Sequence, residues 1–593
     1  MKESLKIQER AYKKGQVDPF TRENIAQGLI AAAEEMFYTW GRTSQSTIIY
    51  EVLDYSCGLT DAKGNLIGQA NGVTGFMGAI TFSVASVLEK FGPENLKPGD
   101  IILTNDPYTG SGTHLCDVSA VLPIFYKGEL VAFAANKGHW NEIGGKNLGS
   151  WSTNATEIYQ EGLQFPVIKV YDEGKLNEAV RDMIAANCRT PDMTLGDLYA
   201  QTASLRIAEK RVLELFDRYG RDAVLESIDW ILENGRKLAL KELAKMPKGT
   251  FEADSYIDAQ ANNVENVYIK AKVTITDDSF IIDLTESGDQ VPAPINCTKY
   301  GAYSAGRIIY HALVNPDAEP NEGFYSPVKV ITREGSVFNA VRPAPVSTNW
   351  EATSHITDLV AKALAPAIPE RITAGHFLSI IGTILAGIDD KTKQPFVLCE
   401  PQAGGWGAGY NKDGESGLVA IADGETFVIP AEVAEYKYPI IVEQFAFNLN
   451  TGAGKFRGGC GLIRDYRLLN SNAELTTIVS RHQFPPWGFA GGKDGSPNIV
   501  EVHPADGSEP VVGATFSNYP MRKGDLVRFI SGCGGGYGDP LERPVEKVLR
   551  DVKDEIITVE EAERDYGVVI DKETLEVDEE KTKKLREERS RRG

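Results

Sequence analysis

Two short segments of the chain combine histidine with acidic residues at spacings that suit metal chemistry. Histidine is scarce, at seven of 593 residues, yet His114 and His139 are near each other and each precedes an acid by three positions, Asp117 and Glu142. Imidazole nitrogen and carboxylate oxygen together suit Zn²⁺, Mn²⁺ or Fe²⁺. With an open coordination position, such an ion activates water or polarises a carbonyl. The spacing also fits a structural polar network, or acid–base work by the same side chains without a metal.

A predicted β-hairpin brings these side chains together. Residues 117–125 and 129–138 are typical of two strands joined by a tight turn. A two-residue turn pairs Asp117 with Gly138 across the hairpin. Both histidines then lie beside Asp117 at the open end, so the sequence predicts one cluster rather than two separate sites.

A further acid is predicted to face inward from an earlier strand. In segment 51–64, side-chain alternation places Asp54 on the same face as Val52. A carboxylate on a half-buried strand requires a partner. A metal ion and Arg42 are the two alternatives.

The composition excludes several classes of function. Lys and Arg total 62 against 83 Asp and Glu, a formal net charge of −21, whereas nucleic-acid-binding proteins and proteins docked on anionic lipid present basic surfaces. The charged start of the chain lacks the apolar core of a signal peptide. The longest apolar stretch, 377–388, is well short of the roughly 20 residues that span a bilayer. We therefore expect a cytoplasmic protein that binds neither nucleic acid nor membrane.

Cysteine usage also indicates a cytoplasmic protein. The seven cysteines are odd in number, widely spaced and without a CxxC pair. This pattern indicates a reducing compartment and unreactive thiols rather than disulfides or a cysteine-based zinc site.

Common nucleotide and nucleophile motifs are missing. The sequence has no GxxxxGK[ST] phosphate loop, no GxSxG elbow and no HExxH helix. The glycine-rich runs at 404–409 and 532–538 lack the GxGxxG spacing of a dinucleotide site. A nucleotide site of these kinds is therefore not expected in this chain.

Glycine is abundant, at 58 residues, and clusters at 403–409, 452–461 and 532–538. Such runs usually mark tight turns or close backbone approach. Backbone N–H groups in two of the runs are candidates for contacting phosphate or carbonyl oxygens. Arg457 and Arg464 are candidates for contacting phosphate or for pairing with acids.

Residue periodicity predicts an α+β fold class: a β-rich mixed fold with intertwined subdomains, a central helical segment and a charged C-terminal helix. The predicted elements are a helix at 21–42, strands at 47–53 and 56–69, strands and turns through 160, helices within 174–247, strands at 268–285, helices near 300–314 and 354–365, a glycine-rich β region at 420–540 and a charged helical tail. The predicted organisation is a polar extension at 1–17, one module at 18–545 and a tail at 546–593, the module comprising subdomains at 18–170, 171–250 and 251–545.

Eight segments of the chain resemble the hydantoinase B/oxoprolinase family. This family includes B-type subunits of ATP-dependent hydantoinases and caprolactamase and subunits of acetone and acetophenone carboxylases. The matching segments are DPFTRENIAQGLIAAAEEM (18–36), DYSCGLTDAKG (54–64), NDPYTGSGTHLCDV (105–118), GHWNEIGG (138–145), EIYQEGLQFP (157–166), NCRTPDMTLGDLYAQ (187–201), TGAGKFRGGCGLIR (451–464) and GCGGGYGDPLERP (532–544). They span nearly the whole chain.

The resemblance implies a division of labour between two subunits. An A-type partner with an actin-like ATPase fold would use ATP to phosphorylate a small cyclic amide or ketone, and the B-type subunit would complete the reaction at a metal site. The expected assembly is an α2β2 or larger hetero-oligomer. ATP would be used by the partner, which agrees with the missing phosphate loop.

The resemblance also implies a ligand set of two histidines and two aspartates for one divalent metal, Zn²⁺ or Mn²⁺. Carried onto this chain, the ligands are Asp54, His114, Asp117 and His139. The expected roles beside the metal are proton acceptors at Glu142 and Asp106 and substrate contacts from Asn105 and Arg457.

Two departures from the family pattern affect this expectation. Val52 stands where the family usually has arginine, and Glu142 stands where it often has aspartate. Cyclic-amide hydrolysis is the expected reaction, ATP-dependent ketone carboxylation is the alternative, and a non-catalytic scaffold is a further one.

Overall fold

A computed structural model describes residues 17–110 and 113–591, and the chain within them forms two compact units. The first contains residues 17–250, Ala271–Thr357 and Ala422–Ile429; the second contains Phe251–Lys270, Asp358–Ile421 and the chain from Pro430. This partition differs from the predicted subdomains, because the helical segment shares a unit with the N-terminal region and the tail belongs to the second unit. The predicted N-terminal extension, apart from Val17, lies outside the described residues.

The helices and strands confirm the mixed α+β class. The helices are α1 Pro19–Thr43, α2 Thr47–Tyr50, α3 Thr74–Phe91, α4 Glu178–Asn187, α5 Pro191–Tyr219, α6 Arg221–Leu243, α7 Lys299–Val314, α8 Glu322–Tyr325, α9 Trp350–Leu364, α10 Ala431–Lys437, α11 Val545–Lys553, α12 Val559–Tyr566 and α13 Glu579–Ser590. The strands are β1 Tyr55–Asp61, β2 Leu66–Gln69, β3 Ile101–Thr104, β4 Asp117–Tyr126, β5 Glu129–His139, β6 Ile168–Asp172, β7 Lys175–Leu176, β8 Gly249–Ile257, β9 Val267–Ile275, β10 Phe280–Asp283, β11 Val328–Ile331, β12 Thr383–Ile388, β13 Pro395–Glu400, β14 Ile440–Asn448, β15 Gly461–Leu468, β16 Asn472–Ile478, β17 Ile499–His503, β18 Val511–Gly513, β19 Thr515–Arg522 and β20 Leu526–Ile530.

The described strands form four sheets, of which the largest positions the polar residues. Its order is β2-β1-β5-β4-β3-β6-β7. The others have the orders β11-β10-β9-β8, β13-β12-β16-β19 and β14-β15-β20-β17-β18.

Helix α3 covers one face of the seven-stranded sheet. Its Ile80, Val84 and Val87 pack on buried residues that include Val121 of β4 and Phe133 of β5. The sequence pattern does not predict this helix, and it predicts a strand at 47–53, where the chain forms the short α2 instead. Both errors have one cause: buried apolar runs have no polar face, so their periodicity does not separate helix from strand.

The opposite face of this sheet is held by a hydrogen-bond network from α5. Gln201 donates to Val118 O at 2.9 Å and to Asn136 Oδ1 at 3.1 Å, and its Oε1 accepts from Trp140 Nε1 at 3.0 Å. These bonds satisfy polar groups that burial would otherwise penalise. They also hold strands β4 and β5 in place from the sheet face opposite α3.

The predicted hairpin of β4 and β5 is confirmed, with a register that differs by one residue. A bulge between Ile124 and Phe125 shifts the pairing, so that Asp117 lies opposite His139 rather than Gly138. A bulge inserts one unpaired residue and changes every pair beyond it. Here the shift makes Asp117 and His139 direct neighbours on the sheet.

The second unit contains a region in which backbone packs directly on backbone. We call it the glycine core: the runs 403–409, 452–461 and 532–538 with the adjoining segment 486–495. Its N–H groups bond to carbonyls of neighbouring runs, as from Gly405 to Gly532 and from Gly534 to Gly459, both at 2.9 Å. A Cβ on many of these glycines would overlap a neighbouring carbonyl. The runs are therefore glycine-rich because the segments lie too close together for side chains.

The predicted charged tail is helical but only part of it is solvated. Val548 and Val552 of α11 and Ala562 of α12 share a buried cluster with Ala453 of the glycine core. The helices α11 and α12 therefore belong to the core of the second unit. No helix among the described residues combines the length and apolar composition needed to cross a bilayer.

Candidate metal centre

The structure brings three of the four predicted ligands into contact at the open end of the β4–β5 hairpin. His114 Nε2 lies 3.1 Å from Asp117 Oδ1, and the rings of His114 and His139 have centroids 5.1 Å apart. All three side chains are buried. The 3.1 Å approach is an ion-pair contact, since the buried Asp117 Oδ1 has no hydrogen-bond partner in the described structure.

Burial and neighbouring charges set the ionisation of this trio. Burial, with a smaller effect from His114, lowers the pKa of His139 to about 3, so its imidazole is neutral, the form that ligates metals. Burial opposes ionisation of Asp117, but His114, Lys137 and His139 together hold its pKa below the usual value. The result is one ionised carboxylate beside a neutral imidazole.

An indole occupies one nitrogen of His139. Trp151 Nε1 donates to His139 Nε2 at 2.7 Å, while the buried Nδ1 has no hydrogen-bond partner in the described structure. Since a neutral imidazole has one lone pair, and the indole uses it, Nδ1 carries the proton. Coordination by His139 therefore requires Trp151 to move.

The fourth predicted ligand, Asp54, lies beside the trio. Its carbonyl accepts the His139 N–H at 3.0 Å. Asp54 is partly buried, and Leu53 before it has a left-handed φ of 63°. Burial, followed by the charges of Asp117 and Asp423, raises the pKa of the Asp54 carboxyl well above its usual value.

Asp423 contributes a third carboxylate, which the sequence does not predict. Asp423 is buried, and its Oδ2 has no hydrogen-bond partner in the described structure. Burial, and to a lesser extent the charge on Asp117, raises its pKa to about 7. A lone acid some 280 residues beyond the hairpin gives no local signal, because only the folded chain makes it a neighbour.

Backbone contacts hold the segment 422–429 against the rest of the first unit. Gly75 N–H donates to Ala422 O and Phe427 N–H donates to Val52 O, both at 2.9 Å. Gly424 has a φ of 59°, and a Cβ there would overlap the carbonyl of Gly72. Val52, which departs from the family pattern, thus contributes through its backbone.

Cys116 joins the same cluster. One set of side chains within the described ranges brings ligand atoms within 4.8 Å of one another: His114, Cys116 and His139. All seven cysteines are reduced and buried. The expectation of unreactive thiols stays a prediction, and Cys116 differs from the other cysteines in lying beside two imidazoles. We call the six residues Asp54, His114, Cys116, Asp117, His139 and Asp423 the polar cluster.

Glu142, predicted as a proton acceptor, is engaged elsewhere. Its Oε1 accepts from Arg189 Nη1 at 2.8 Å and from Gly144 N at 3.0 Å, and its Oε2 accepts from Arg189 N at 2.5 Å. The side chain is fully buried. Both oxygens thus fix the loop after β5, and its catalytic role stays a prediction.

Two more predicted site residues have structural partners. Asp106 Oδ2 pairs with Arg342 Nη2 at 2.7 Å. Asn105 donates to Leu115 O at 2.7 Å and accepts from Phe165 N at 2.7 Å. Asn105 therefore anchors the loop that carries His114, while direct roles for both residues stay predictions.

The predicted anion contacts belong to the second unit, where they have other partners. Arg457 Nε lies 3.4 Å from Asp551 Oδ1, and Arg464 Nη2 lies 3.6 Å from the buried Glu400. Of their two predicted alternatives, the structure displays acid pairing. N–H groups of the glycine runs are likewise bonded to neighbouring carbonyls, as from Gly459 to Trp406 at 2.9 Å.

Two tryptophans close the polar cluster on its apolar side. Trp350 lies 5.5 Å from the His114 ring and 4.9 Å from Trp151, centroid to centroid. The Trp350 Nε1 is buried without an acceptor in the described structure. Trp350 therefore offers one unused hydrogen-bond donor beside His114.

The donor set fits a divalent metal ion. Ligand atoms of two imidazoles and a thiol lie within 4.8 Å of one another, and three carboxylates interact with one another beside them. The carboxylates of Asp54 and Asp423 are disfavoured as anions by burial and by the charge of neighbouring carboxylates. The buried His139 Nδ1 and Asp423 Oδ2 lack partners in the described structure. A cation would relieve both the charge repulsion and the unsatisfied atoms.

Comparison with known proteins places this chain in a family. A sequence model of the hydantoinase B/oxoprolinase family matches residues 18–540. The chain belongs to this family, as the motifs predicted.

Two relatives are similar over almost their whole length. The chain is 31% identical to a Pseudomonas protein named as the B-type subunit of a D-/L-hydantoinase, covering 96% of this chain and 98% of that one. The crystal structure of an ATP-dependent caprolactamase from Pseudomonas jessenii superposes with a TM-score of 0.90 at 30% identity, covering 97% of this chain and all of that one.

A third likeness shows the fold alone. A nucleotide-free acetone carboxylase structure matches with a TM-score of 0.90 at 20% identity, covering 97% of this chain and 83% of that one. One fold thus serves proteins named for two different reactions.

Proposed function

We propose that this chain is the metal-containing subunit of an ATP-dependent enzyme that opens a cyclic amide of the hydantoin, lactam or oxoproline type. A partner ATPase subunit would phosphorylate the amide oxygen. The observation that carries the proposal is the polar cluster, buried on a chain about 30% identical to a hydantoinase subunit and a caprolactamase.

The chemistry explains why two subunits would share the work. An amide is a poor electrophile, and transfer of the ATP γ-phosphoryl group to its oxygen releases ADP and makes the carbon reactive. Addition of water then breaks the C–N bond, and a second water releases phosphate from the acyl phosphate. The sum is one ring-opened amino acid, ADP and phosphate.

The polar cluster supplies the groups that the second half requires. His114 and His139, with Asp54 and Asp117, would hold one Zn²⁺ or Mn²⁺ ion, which when bound acts as a Lewis acid for water and carbonyl. Asp423 offers a buried carboxylate oxygen without a donor in the described structure, suited to accept a proton from water or substrate. The Trp350 N–H offers a donor to a substrate oxygen.

The test uses the chain co-purified with its ATPase partner. With ATP, a panel of lactams and hydantoins should give ADP and ring-opened product. His114→Ala and His139→Ala should lose stoichiometric metal and reduce product formation at least about a hundredfold. His503→Ala is the matched control, because His503 pairs with Glu501 on β17 of the second unit and is not part of the polar cluster.

Three outcomes would overturn the proposal. Metal that survives both histidine changes would remove the assigned centre. ADP release with ketone plus bicarbonate, and none with cyclic amides, would establish the carboxylase, the second candidate that the acetone carboxylase fold favours. Full activity of the histidine variants would leave this chain the role of a non-catalytic scaffold.

A further inference from the structure

Lys137 is a buried cation beside the polar cluster. Its side chain is fully buried on β5, two residues before His139, so both side chains project from the same face of the sheet. Lys137 and Asp117 attract each other electrostatically. Lysine is almost never fully buried unless its charge has a partner. The Lys137 ammonium therefore acts on the same space as the predicted metal ligands.

The strand register places Lys137 in a row of side chains next to the row of the ligands. Lys137 lies opposite Ser56 of β1 and Ser119 of β4. Two residues further along β5, His139 lies opposite Asp117. Side chains on one face of a strand recur every second residue, so the two rows are adjacent on the face that α3 covers.

The two serines of this row differ in their hydrogen bonds. Ser83 of α3 donates to Ser119 Oγ at 2.9 Å. Ser56 is fully buried, and its Oγ has no hydrogen-bond partner in the described structure. A buried hydroxyl without a partner is costly. Because residues directly opposite each other in a sheet are close neighbours, Ser56 offers an unused donor beside Lys137.

Helix α3 adds positive potential on the same side. The Phe76 ring lies 5.7 Å from Lys137 Nζ, and Phe76 belongs to the first turn of α3. The N-terminal end of a helix carries a partial positive charge. The ammonium, the free hydroxyl and the helix end together favour an anion.

The charges of the polar cluster explain why a substrate that is itself an anion needs this cation. Asp54, Asp117 and Asp423 supply three carboxylates that interact with one another, and ligating imidazoles are neutral. A divalent ion alone would leave one negative charge in excess, which repels a phosphorylated substrate. With Lys137 the charges balance.

We propose that Lys137 and Ser56 form a phosphate-binding subsite beside the metal centre, which holds the phosphoryl group of the activated substrate and the phosphate released from it. A lysine ammonium binds phosphate as a point charge, and a hydroxyl donates to a phosphate oxygen. The inference rests on the proposed function and names the part of the substrate that this chain recognises. It leaves the ligand set of two histidines and two aspartates unchanged.

Inorganic phosphate is the probe, titrated into the full-length, metal-loaded protein and followed by calorimetry. Lys137→Met should lower the phosphate affinity at least about tenfold, because it removes a charge-assisted hydrogen bond. Ser56→Ala removes a neutral hydrogen bond and should lower it about two- to tenfold. Metal content should be unchanged in both variants, since neither side chain is a ligand.

Lys127→Met is the matched control. Lys127 lies in the turn of the same hairpin, where it is exposed and outside the polar cluster. Its substitution should leave the phosphate affinity and the metal content as in the wild type.

A second readout uses the complex with the ATPase partner. The wild type should form one ADP for each ring-opened product. In Lys137→Met the phosphorylated substrate is held less tightly and escapes, and hydrolysis at phosphorus in solution returns the amide. The amount of ADP should then exceed the amount of ring-opened product.

The outcomes separate this inference from the proposed function. Equal phosphate affinity in the wild type and Lys137→Met, or a wild type that binds no phosphate, overturns the subsite and leaves the proposed function standing. Loss of metal together with phosphate in Lys137→Met also overturns it, since Lys137 would then support the ligands. The proposed function fails separately, when the wild-type complex opens no cyclic amide.

Discussion

The polar cluster and the glycine core are both buried, but they are built in opposite ways. In the polar cluster, six side chains converge and the surrounding backbone only positions them. In the glycine core, side chains are missing and carbonyl and N–H groups of neighbouring runs bond directly, as from Gly405 to Gly532.

This difference predicts different responses to substitution. A polar side chain can be exchanged for an isostere that keeps its volume, so chemistry can be lost while the fold remains. A glycine packed against a carbonyl has no isostere, because any added carbon requires the backbone to move. Substitutions in the polar cluster should therefore impair function with little loss of stability. Substitutions in the glycine core should lower stability.

The largest effect is expected at Gly407. A Cβ there would overlap the carbonyl of Ala374, so Gly407→Ala should lower the free energy of unfolding by at least about 3 kcal/mol. Gly409→Ala, in the same run, meets only the Lys412 side chain at 3.6 Å and should change stability by less than about 1 kcal/mol. Urea denaturation followed by circular dichroism measures both variants. Equal losses of stability would contradict the predicted difference between these two glycines.

The next effect concerns Glu142 and its partner. Arg189→Ala leaves the Glu142 carboxylate buried without its countercharge and should destabilise by about 3 kcal/mol, the low end for buried pairs because Arg189 is partly exposed. Arg181→Ala, which breaks an exposed pair with Asp182, should change stability by less than about 1 kcal/mol. Metal content should be unchanged in both variants. Metal loss in Arg189→Ala would instead place Glu142 at the centre.

A pH-dependent effect is expected from Glu161. Its Oε1 accepts from Val346 N and Ser347 N, both at 2.8 Å, and burial raises its pKa to about 8. The unfolded chain ionises this group at lower pH, so its contribution to stability is complete in acid and is lost as pH rises towards 8. The slope from this one proton is at most about 1.4 kcal/mol per pH unit.

Glu161→Gln tests this sign. The amide keeps the acceptor oxygen and cannot ionise, so unfolding midpoints measured from about pH 5 to about pH 8 should fall less steeply than in the wild type. Glu34→Gln, at an exposed position on α1, should retain the wild-type slope. A Glu161→Gln protein with an unchanged slope would contradict the assignment.

The smallest effect is expected at Trp151. Its indole must leave His139 Nε2 when this histidine binds metal, and a hydrogen bond contributes about 0.5–1.5 kcal/mol. Trp151→Phe should therefore bind Zn²⁺ about two- to tenfold more tightly in chelator competition. Trp350→Phe removes a neighbouring indole without that bond and should bind as the wild type does. Weaker binding by Trp151→Phe would mean that the indole supports the ligand.

Sequence patterns located the elements of the polar cluster but not its contacts. The β4–β5 hairpin follows from alternation and a turn, which are local, so both strands were predictable. The bulge between Ile124 and Phe125 was not, although it determines that Asp117 faces His139. A one-residue register change depends on packing across the sheet, which alternation cannot resolve.

The sequence by itself determined the family, the α+β class, the hairpin and the two histidines, because motifs and periodicity are written in neighbouring residues. Only the tertiary structure decided that Asp423 joins the polar cluster, that Glu142 pairs with Arg189, and that glycine runs pack on one another. These contacts join residues far apart in the chain. Their partners are selected by burial and close approach, which no local pattern records.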